Sequence, residues 1–212
     1  GDYSELINWG LRFGILLAVP AAIALAILAI PLISTLFYYG AFTKTDILMT
    51  QYALVAYSIG LVGLILIKIL APAFYAQQNV KTPVKIALFT LFCTQFMNLI
   101  FIGYLKHTGL ALAIGLGACI NAGLLFYNLK KGKVFKLNSG WPIFLSKIIV
   151  AAFIMALGLI YFKGSIELWV NYSALSRFSH LIALILFGTT IYFLTLKIFR
   201  LDVTDFFKKT IH

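Results

Sequence analysis

Polar side chains are scarce in the long apolar runs of this sequence, so the few inside them are where chemistry would be done. Lys68 is the most costly, because an ionisable group within an apolar helix must snorkel, pair or face water. Thr94, Gln95 and Asn98 follow at helical spacing: Thr94 and Asn98 share a face through i,i+4, and Gln95 and Asn98 through i,i+3. Asn121 stands in the next run, with Gly117 one turn before it. A lysine facing an internal cavity would meet an anionic substrate such as a pyrophosphate. A row of hydroxyls and amides would make the polar wall of a transport cavity, since intramembrane polar groups usually face the bundle interior or water. Each has a plainer reading. Lys68 lies about two turns inside its run, roughly 12 Å at 1.5 Å per residue, and its stem would carry the ammonium back toward headgroups. The threonine and amides would bond neighbouring helices, with small residues allowing close approach.

Enzyme chemistry finds no support. The acidic residues are Asp2, Glu5, Asp46, Glu167, Asp202 and Asp205, all at helix ends, in loops or in the tail. They form no carboxylate pair or Asp-x-x-Asp clamp for phosphoryl transfer, and no Ser/His/Asp constellation arises. His107 and His180 each stand alone, and Cys93 and Cys119 lack a Cys-x-x-Cys or Cys/His pattern, so they read as small buried side chains. No catalytic residue, metal ligand or cofactor is assigned. Gly115-Leu-Gly117 and Gly60-Leu-Val-Gly63 follow no strand and read as helix-packing glycines rather than a nucleotide fingerprint.

These residues must be positioned by membrane helices. The chain is 62% hydrophobic and 11% charged, with mean hydropathy +1.01, against about 45–50% and about 25% in soluble domains. At about 20 apolar residues per crossing, spans are expected at roughly 11–38, 47–76, 84–105, 108–129, 141–162 and 178–199. Pro20 and Pro31 should kink the first, and Phe37-Tyr38-Tyr39-Gly40 ends it with an aromatic belt and a glycine stop. Thr43 or Thr45 would cap the second span, with Asp46 in its first turn. Thr82 would cap the third, with Pro83 at the first helical position. Lys106-His107-Thr108-Gly109 makes a short hairpin turn. The 163–177 loop, with Trp169 and Tyr172, suits a surface-lying segment, and 202–212 an interfacial amphipathic helix. Gly1 to Glu5 read as the lead-in to a helix already under way, as in a piece of a larger protein.

The net charge of +11 is not a nucleic-acid footprint, because the lysines sit in short loops that orient spans and meet anionic lipid. Six crossings put both ends on one side. Arg12, Lys81, Lys85, Lys130, Lys131, Lys133, Lys136, Lys147, Lys197, Arg200, Lys208 and Lys209 then share that side, 12 cations against four (Lys44, Lys106, Lys163, Arg177). The excess makes both ends cytoplasmic.

The order of residues adds a resemblance. Ile7-Asn-Trp-Gly-Leu-Arg12 precedes a Pro-broken span; Leu36-Phe-Tyr-Tyr-Gly-Ala-Phe-Thr43 and Ala56-Tyr-Ser-Ile-Gly-Leu61 follow. Lys68-Ile-Leu-Ala-Pro-Ala-Phe-Tyr-Ala-Gln-Gln-Asn-Val-Lys-Thr-Pro83, Asn98-Leu-Ile-Phe-Ile-Gly103, Thr108-Gly-Leu-Ala-Leu-Ala-Ile-Gly115 and Asn121-Ala-Gly-Leu-Leu125 complete the series. In this order the chain resembles the carboxy-terminal part of the MurJ family of lipid II flippases, the mouse-virulence-factor branch of the MOP exporter superfamily. The resemblance implies an all-α, polytopic fold, with six transmembrane helices that correspond to the ninth to fourteenth of a fourteen-helix flippase. Residues 1–130 would be four helices of the second lobe. Residues 131–212 would be two additional helices forming a lipid-tail groove, plus a cytoplasmic tail. It also implies an inner-membrane location, undecaprenyl-linked lipid II and membrane lipids as partners, and a first lobe outside this chain. That lobe carries most of the family's arginine-rich cavity, so those residues are not transferred. Coupling would be to an ion gradient or the membrane potential. Some members bind sodium in the second lobe; Thr94 and Asn98 match two such positions, but Ile114 stands where a threonine ligand would be and span three has no acid. The alternatives are another MOP-type exporter, such as an O-antigen flippase or a multidrug exporter, and a membrane scaffold for cell-wall enzymes using the 130–140 loop and the tail. A drug exporter would be expected to show acids inside its spans, and this chain has none there.

Overall fold

In the computed structural model, residues 2–132, 135–136 and 139–201 are described, and all their regular structure is helical. The helices are α1 (Asp2–Ile27), α2 (Ala29–Phe37), α3 (Lys44–Tyr75), α4 (Lys81–Lys131), α5 (Trp141–Phe162), α6 (Ile166–Asn171) and α7 (Ala174–Ile198). Among them α1, α3, α4, α5 and α7 are long and apolar enough to cross a membrane. α4 has 51 residues, about 75 Å at 1.5 Å per residue, twice the need of an apolar core about 30 Å thick. It reverses at Lys106, whose φ of 49° and ψ of −127° leave helical geometry. A straight helix would hold residues 94 and 117 about 35 Å apart, yet a Cβ on Gly117 would run into the Thr94 hydroxyl. The two halves of α4 are therefore the expected hairpin. Counted as two, they bring the crossings to the six read from the sequence.

Local chemistry accounts for the other boundaries, with some corrections. α1 runs uninterrupted through Pro20, whereas Pro31 cannot donate to the carbonyl of Ile27, and the helix breaks at Leu28 (φ −88°, ψ 14°). Thr43, not Thr45, caps α3: its hydroxyl accepts from the Asp46 N–H at 3.3 Å, while Asp46 Oδ2 accepts from the Thr43 N–H at 2.8 Å. α4 begins at Lys81, two residues earlier than expected, so Thr82 is not its cap. Asn79 Oδ1 accepts from the Thr82 N–H at 3.2 Å instead, and Pro83 falls within the first turn, where its missing N–H leaves no bond unmade. α3 ends in a turn in which Asn79 N–H bonds Phe74 C=O and Gln78 N–H bonds Tyr75 C=O, with Gln78 at φ 57° in the place glycine usually takes. The segment expected to lie on the surface contains α6, and its Trp169 is buried, donating to the Lys163 carbonyl at 2.6 Å. The expected tail helix over 202–212 lies outside the described residues.

The chain packs as two compact units. In the first (1–18 and 56–141), α1 lies on α3 where Gly10 and Gly14 meet Ile69, and α3 lies on the second half of α4 through Gly60 against Gly115 and Gly63 against Ala118. These small residues let backbones touch, which is how helices associate where lipid removes the hydrophobic drive. In the second unit (19–55 and 142–212), Ala29, Ile33 and Ile47 form a core beneath Tyr38, Phe42, Ile166 and Val170. There α5 and α7 pack through Gly158 on Phe187 and Gly188 on Leu159. The units cut α1 and α3 partway along their lengths.

Candidate functional site

The polar row lies on the first half of α4. Thr94 Oγ1 donates to the Thr90 carbonyl at 2.9 Å, and the Asn98 amide approaches Gln95 Oε1 at 3.4 Å, so Gln95 and Asn98 come together while Thr94 turns back to Thr90. Gln95 is exposed and Thr94 and Asn98 half-buried. Asn98 Oδ1 and the hydroxyl oxygen of the buried Thr90 are shut off from solvent and have no hydrogen bond among the described residues. An enclosed acceptor left unpaired costs about 1–3 kcal/mol, so this wall holds two vacant acceptors suited to a hydroxyl or amide donor. The opposite wall is Gly117, bare against Thr94. The same antiparallel register, also seen in Gly109 against Phe101, brings half-buried Asn121 level with Thr90. Thr90 was missed in the sequence; its i−4 spacing from Thr94 and i−8 from Asn98 was the available signal.

The two unpaired oxygens of this row do not share one ion. Thr90 and Asn98 are two turns apart, about 12 Å along the axis, and do not converge on one ion. Ile114 is 43% exposed and its side chain carries no oxygen. Among the described residues no cluster of three His, Cys, Asp or Glu exists.

Lys68 stands apart. It is exposed and aligned with exposed Tyr57, Pro72 and Tyr75 along α3, and it makes no hydrogen bond or ion pair among the described residues. Nothing among those residues joins it to the α4 row. Pro72 leaves the Lys68 carbonyl without its usual donor. One turn on, the Ala73 carbonyl accepts from Tyr3 OH and from Gln77 Nε2.

Two polar anchors were not anticipated. Asn8, 2% exposed, donates to the carbonyls of Ser4 (2.8 Å) and Lys136 (2.7 Å) and accepts from Trp141 Nε1 at 2.9 Å. The Arg12 guanidinium lies 5.5 Å from the centre of the Trp141 ring. Arg177, read from the sequence as a loop cation, is buried. It donates to the carbonyls of Ser34 (3.3 Å), Tyr38 (2.9 Å) and Val170 (3.2 Å) and sits 4.7 Å from the Tyr38 ring centre.

A sequence model of the family described as "Lipid II flippase MurJ" matches residues 1–180. The chain belongs to the MurJ family. Over 194 residues it is 44% identical to the lipid II flippase MurJ of Burkholderia cenocepacia, covering 91% of this chain and 37% of that protein. It is 36% identical to the probable lipid II flippase MurJ of Haemophilus influenzae, covering 92% and 38%. A solved structure of a lipid II flippase MurJ in an inward closed conformation superposes with a TM-score of 0.77 at 26% identity, over 93% of this chain and 39% of that one. The chain thus spans about two fifths of the length of the MurJ relatives it matches. MurJ membership and the apolar helices make it a multi-pass membrane protein of a transporter family.

Proposed function

We propose that this chain is part of a flippase that moves lipid-linked peptidoglycan precursor, lipid II, from the cytoplasmic to the periplasmic leaflet of the bacterial inner membrane. The observation that carries the reading is the family match over residues 1–180. The head group crosses a hydrophilic cavity by alternating access, a rocking of lobes around the site, while the undecaprenyl tail stays in lipid. Residues 1–130 contribute four helices of the second lobe, and 131–212 the tail groove and a cytoplasmic tail; the first lobe comes from outside these residues. Both ends are cytoplasmic, supported by the 12-to-four partition of cations. An ion gradient or the membrane potential supplies the energy. Lys68 lies near the head-group path, where its exposed, unpaired ammonium suits a pyrophosphate. Thr94, Gln95, Asn98 and Asn121 line the cavity or the packing surface of the lobe, supported by the vacant acceptor on Asn98.

The test is depletion of the full-length protein in cells without a redundant flippase, complemented by Lys68→Ala or Asn98→Ala, scoring lipid II at the outer surface. Both variants are expected to lower surface lipid II while the protein level holds. Normal exposure with both would remove these site assignments. Normal exposure without any of the protein would sink the flippase reading.

A further inference from the structure

The second unit has a half-open cavity of about 370 Å³ lined by the end of α5, α6 and the start of α7, with His180 exposed on its wall, within the usual range for small-ligand sites. Most of its wall is apolar, including Phe187 and Ala183, but two groups that bind polar partners line it, Lys163 and His180. Lys163 is half-buried, and its ammonium has no hydrogen bond or carboxylate among the described residues. Glu167, the acid closest to it in sequence, is engaged by Lys44 at 2.8 Å. His180 is fixed in place: its ring stacks on Tyr172 with centroids 4.7 Å apart. Its Nδ1 lies 2.8 Å from the Ser176 carbonyl. A carbonyl only accepts, so Nδ1 carries the hydrogen, and Nε2, bonded to nothing among the described residues, is the nitrogen left to accept. Trp169 and Tyr172 are the residue types that gather where apolar chains meet headgroups.

A cation and a neutral acceptor on one apolar cavity, at the level of interfacial aromatics, match a lipid with a phosphodiester and a donor-bearing headgroup. We propose that this cavity is a resident phospholipid site. Lys163 holds the phosphate, His180 Nε2 accepts from the headgroup ammonium or hydroxyl, and one acyl chain lies along Phe187. The occupant is a bulk lipid and not the transported one; the cavity lies on the two helices proposed above to form the tail groove, and the lipid II arm of the test below separates the two occupants.

Native mass spectrometry of the full-length protein, delipidated and then titrated with single lipids of identical acyl chains, tests this. Phosphatidylethanolamine is expected to be retained about tenfold more than diacylglycerol, which lacks the phosphate, and more than phosphatidylcholine, which has no headgroup donor. Lys163→Ala and His180→Phe should each remove most of that preference, and Lys163→Arg should keep it. Ala183→Phe, which fills the cavity and leaves both polar groups, should lower retention of all three lipids. Millimolar inorganic phosphate should not compete; competition by phosphate alone would mean an anion site and overturn the lipid assignment. Equal retention of diacylglycerol and phosphatidylethanolamine would overturn it too, as would displacement by one equivalent of lipid II. Each variant is compared at equal monodispersity, so a misfolded variant is replaced by the Lys163→Arg and Ala183→Phe pair.

Discussion

Asn8 in the first unit and Arg177 in the second do the same mechanical job by opposite chemistry. Each is buried and ties together segments far apart in sequence: Asn8 joins α1 to Lys136 and Trp141, and Arg177 joins the ends of α2 and α6 to α7. Asn8 is neutral and uses both ends of its amide. Arg177 is a cation with no carboxylate bonded to it among the described residues, and its Nε has no partner there. Its charge is met by carbonyls in the last turns or caps of two helices, where the negative ends of their dipoles lie, and by the Tyr38 ring face. A buried ion can thus be held by carbonyl dipoles and a ring face with no carboxylate, and the surrounding carbonyls depend on it as much as it depends on them.

That dependence gives the largest expected effect. Arg177→Leu leaves the Ser34, Tyr38 and Val170 carbonyls without their donor, at about 1–3 kcal/mol for each buried group and partly offset by no longer burying a charge; a net loss of about 3 kcal/mol is expected. Arg177→Lys should recover only part of it, because an ammonium cannot fork to three carbonyls as a planar guanidinium does. Thermal unfolding of the purified protein checks both; a lysine variant as stable as wild type would show that charge alone matters. Asn8→Leu should cost less, about 2 kcal/mol, since it strands the Trp141 N–H and leaves the Lys136 carbonyl only the long 3.5 Å contact from the Ser4 hydroxyl. Trp141→Phe is milder still, about 1 kcal/mol, because a ring remains beneath Arg12 and only one donor is lost. If it proves worse than Asn8→Leu, the indole's packing and not its hydrogen bond anchors the linker.

The contrast also explains what could be read in advance. Helix number, the α4 hairpin and the close glycine contacts follow from apolar run length, a short turn and small-residue spacing, all local properties. The row of Thr94, Gln95 and Asn98 was legible because i,i+3 and i,i+4 neighbours on one helix meet whatever the rest does. Asn8 and Arg177 act on partners more than 120 residues away, and no local pattern marks a carbonyl that will arrive from another helix. Arg177 was moreover counted only as an orienting charge, a statistical role that says nothing of burial. Thr82 differs for a smaller reason: Asn79 offers an equally short side chain three residues earlier, and a start two residues earlier, at Lys81, turns the Thr82 N–H to Asn79.

The smallest effect belongs to the exposed pair that Arg177 most resembles on paper. Lys44 and Glu167 join the start of α3 to α6 at 2.8 Å, much as Arg177 joins its own helices, but both side chains are open to solvent. The hydrogen bond from Lys44, with help from the Glu167 backbone N–H and from Ser165, holds the Glu167 carboxyl down to about 2 from 4.5. A carboxyl lowered in the folded state stabilises above its unfolded pKa, and that contribution fades as pH falls from about 4.5 toward about 2. Glu167→Gln should therefore lower the unfolding temperature slightly at neutral pH and low salt, and not at all near pH 2. In about 1 M salt, where the screening length is about 3 Å, the difference should also vanish. The Arg177→Leu deficit should persist under both conditions, because it comes from buried and half-buried carbonyls left without a donor and not from an ion pair that salt or acid removes. If salt erased the Arg177 deficit as well, its carbonyl cage would have to be open to water, and the distinction between the two kinds of tie would collapse.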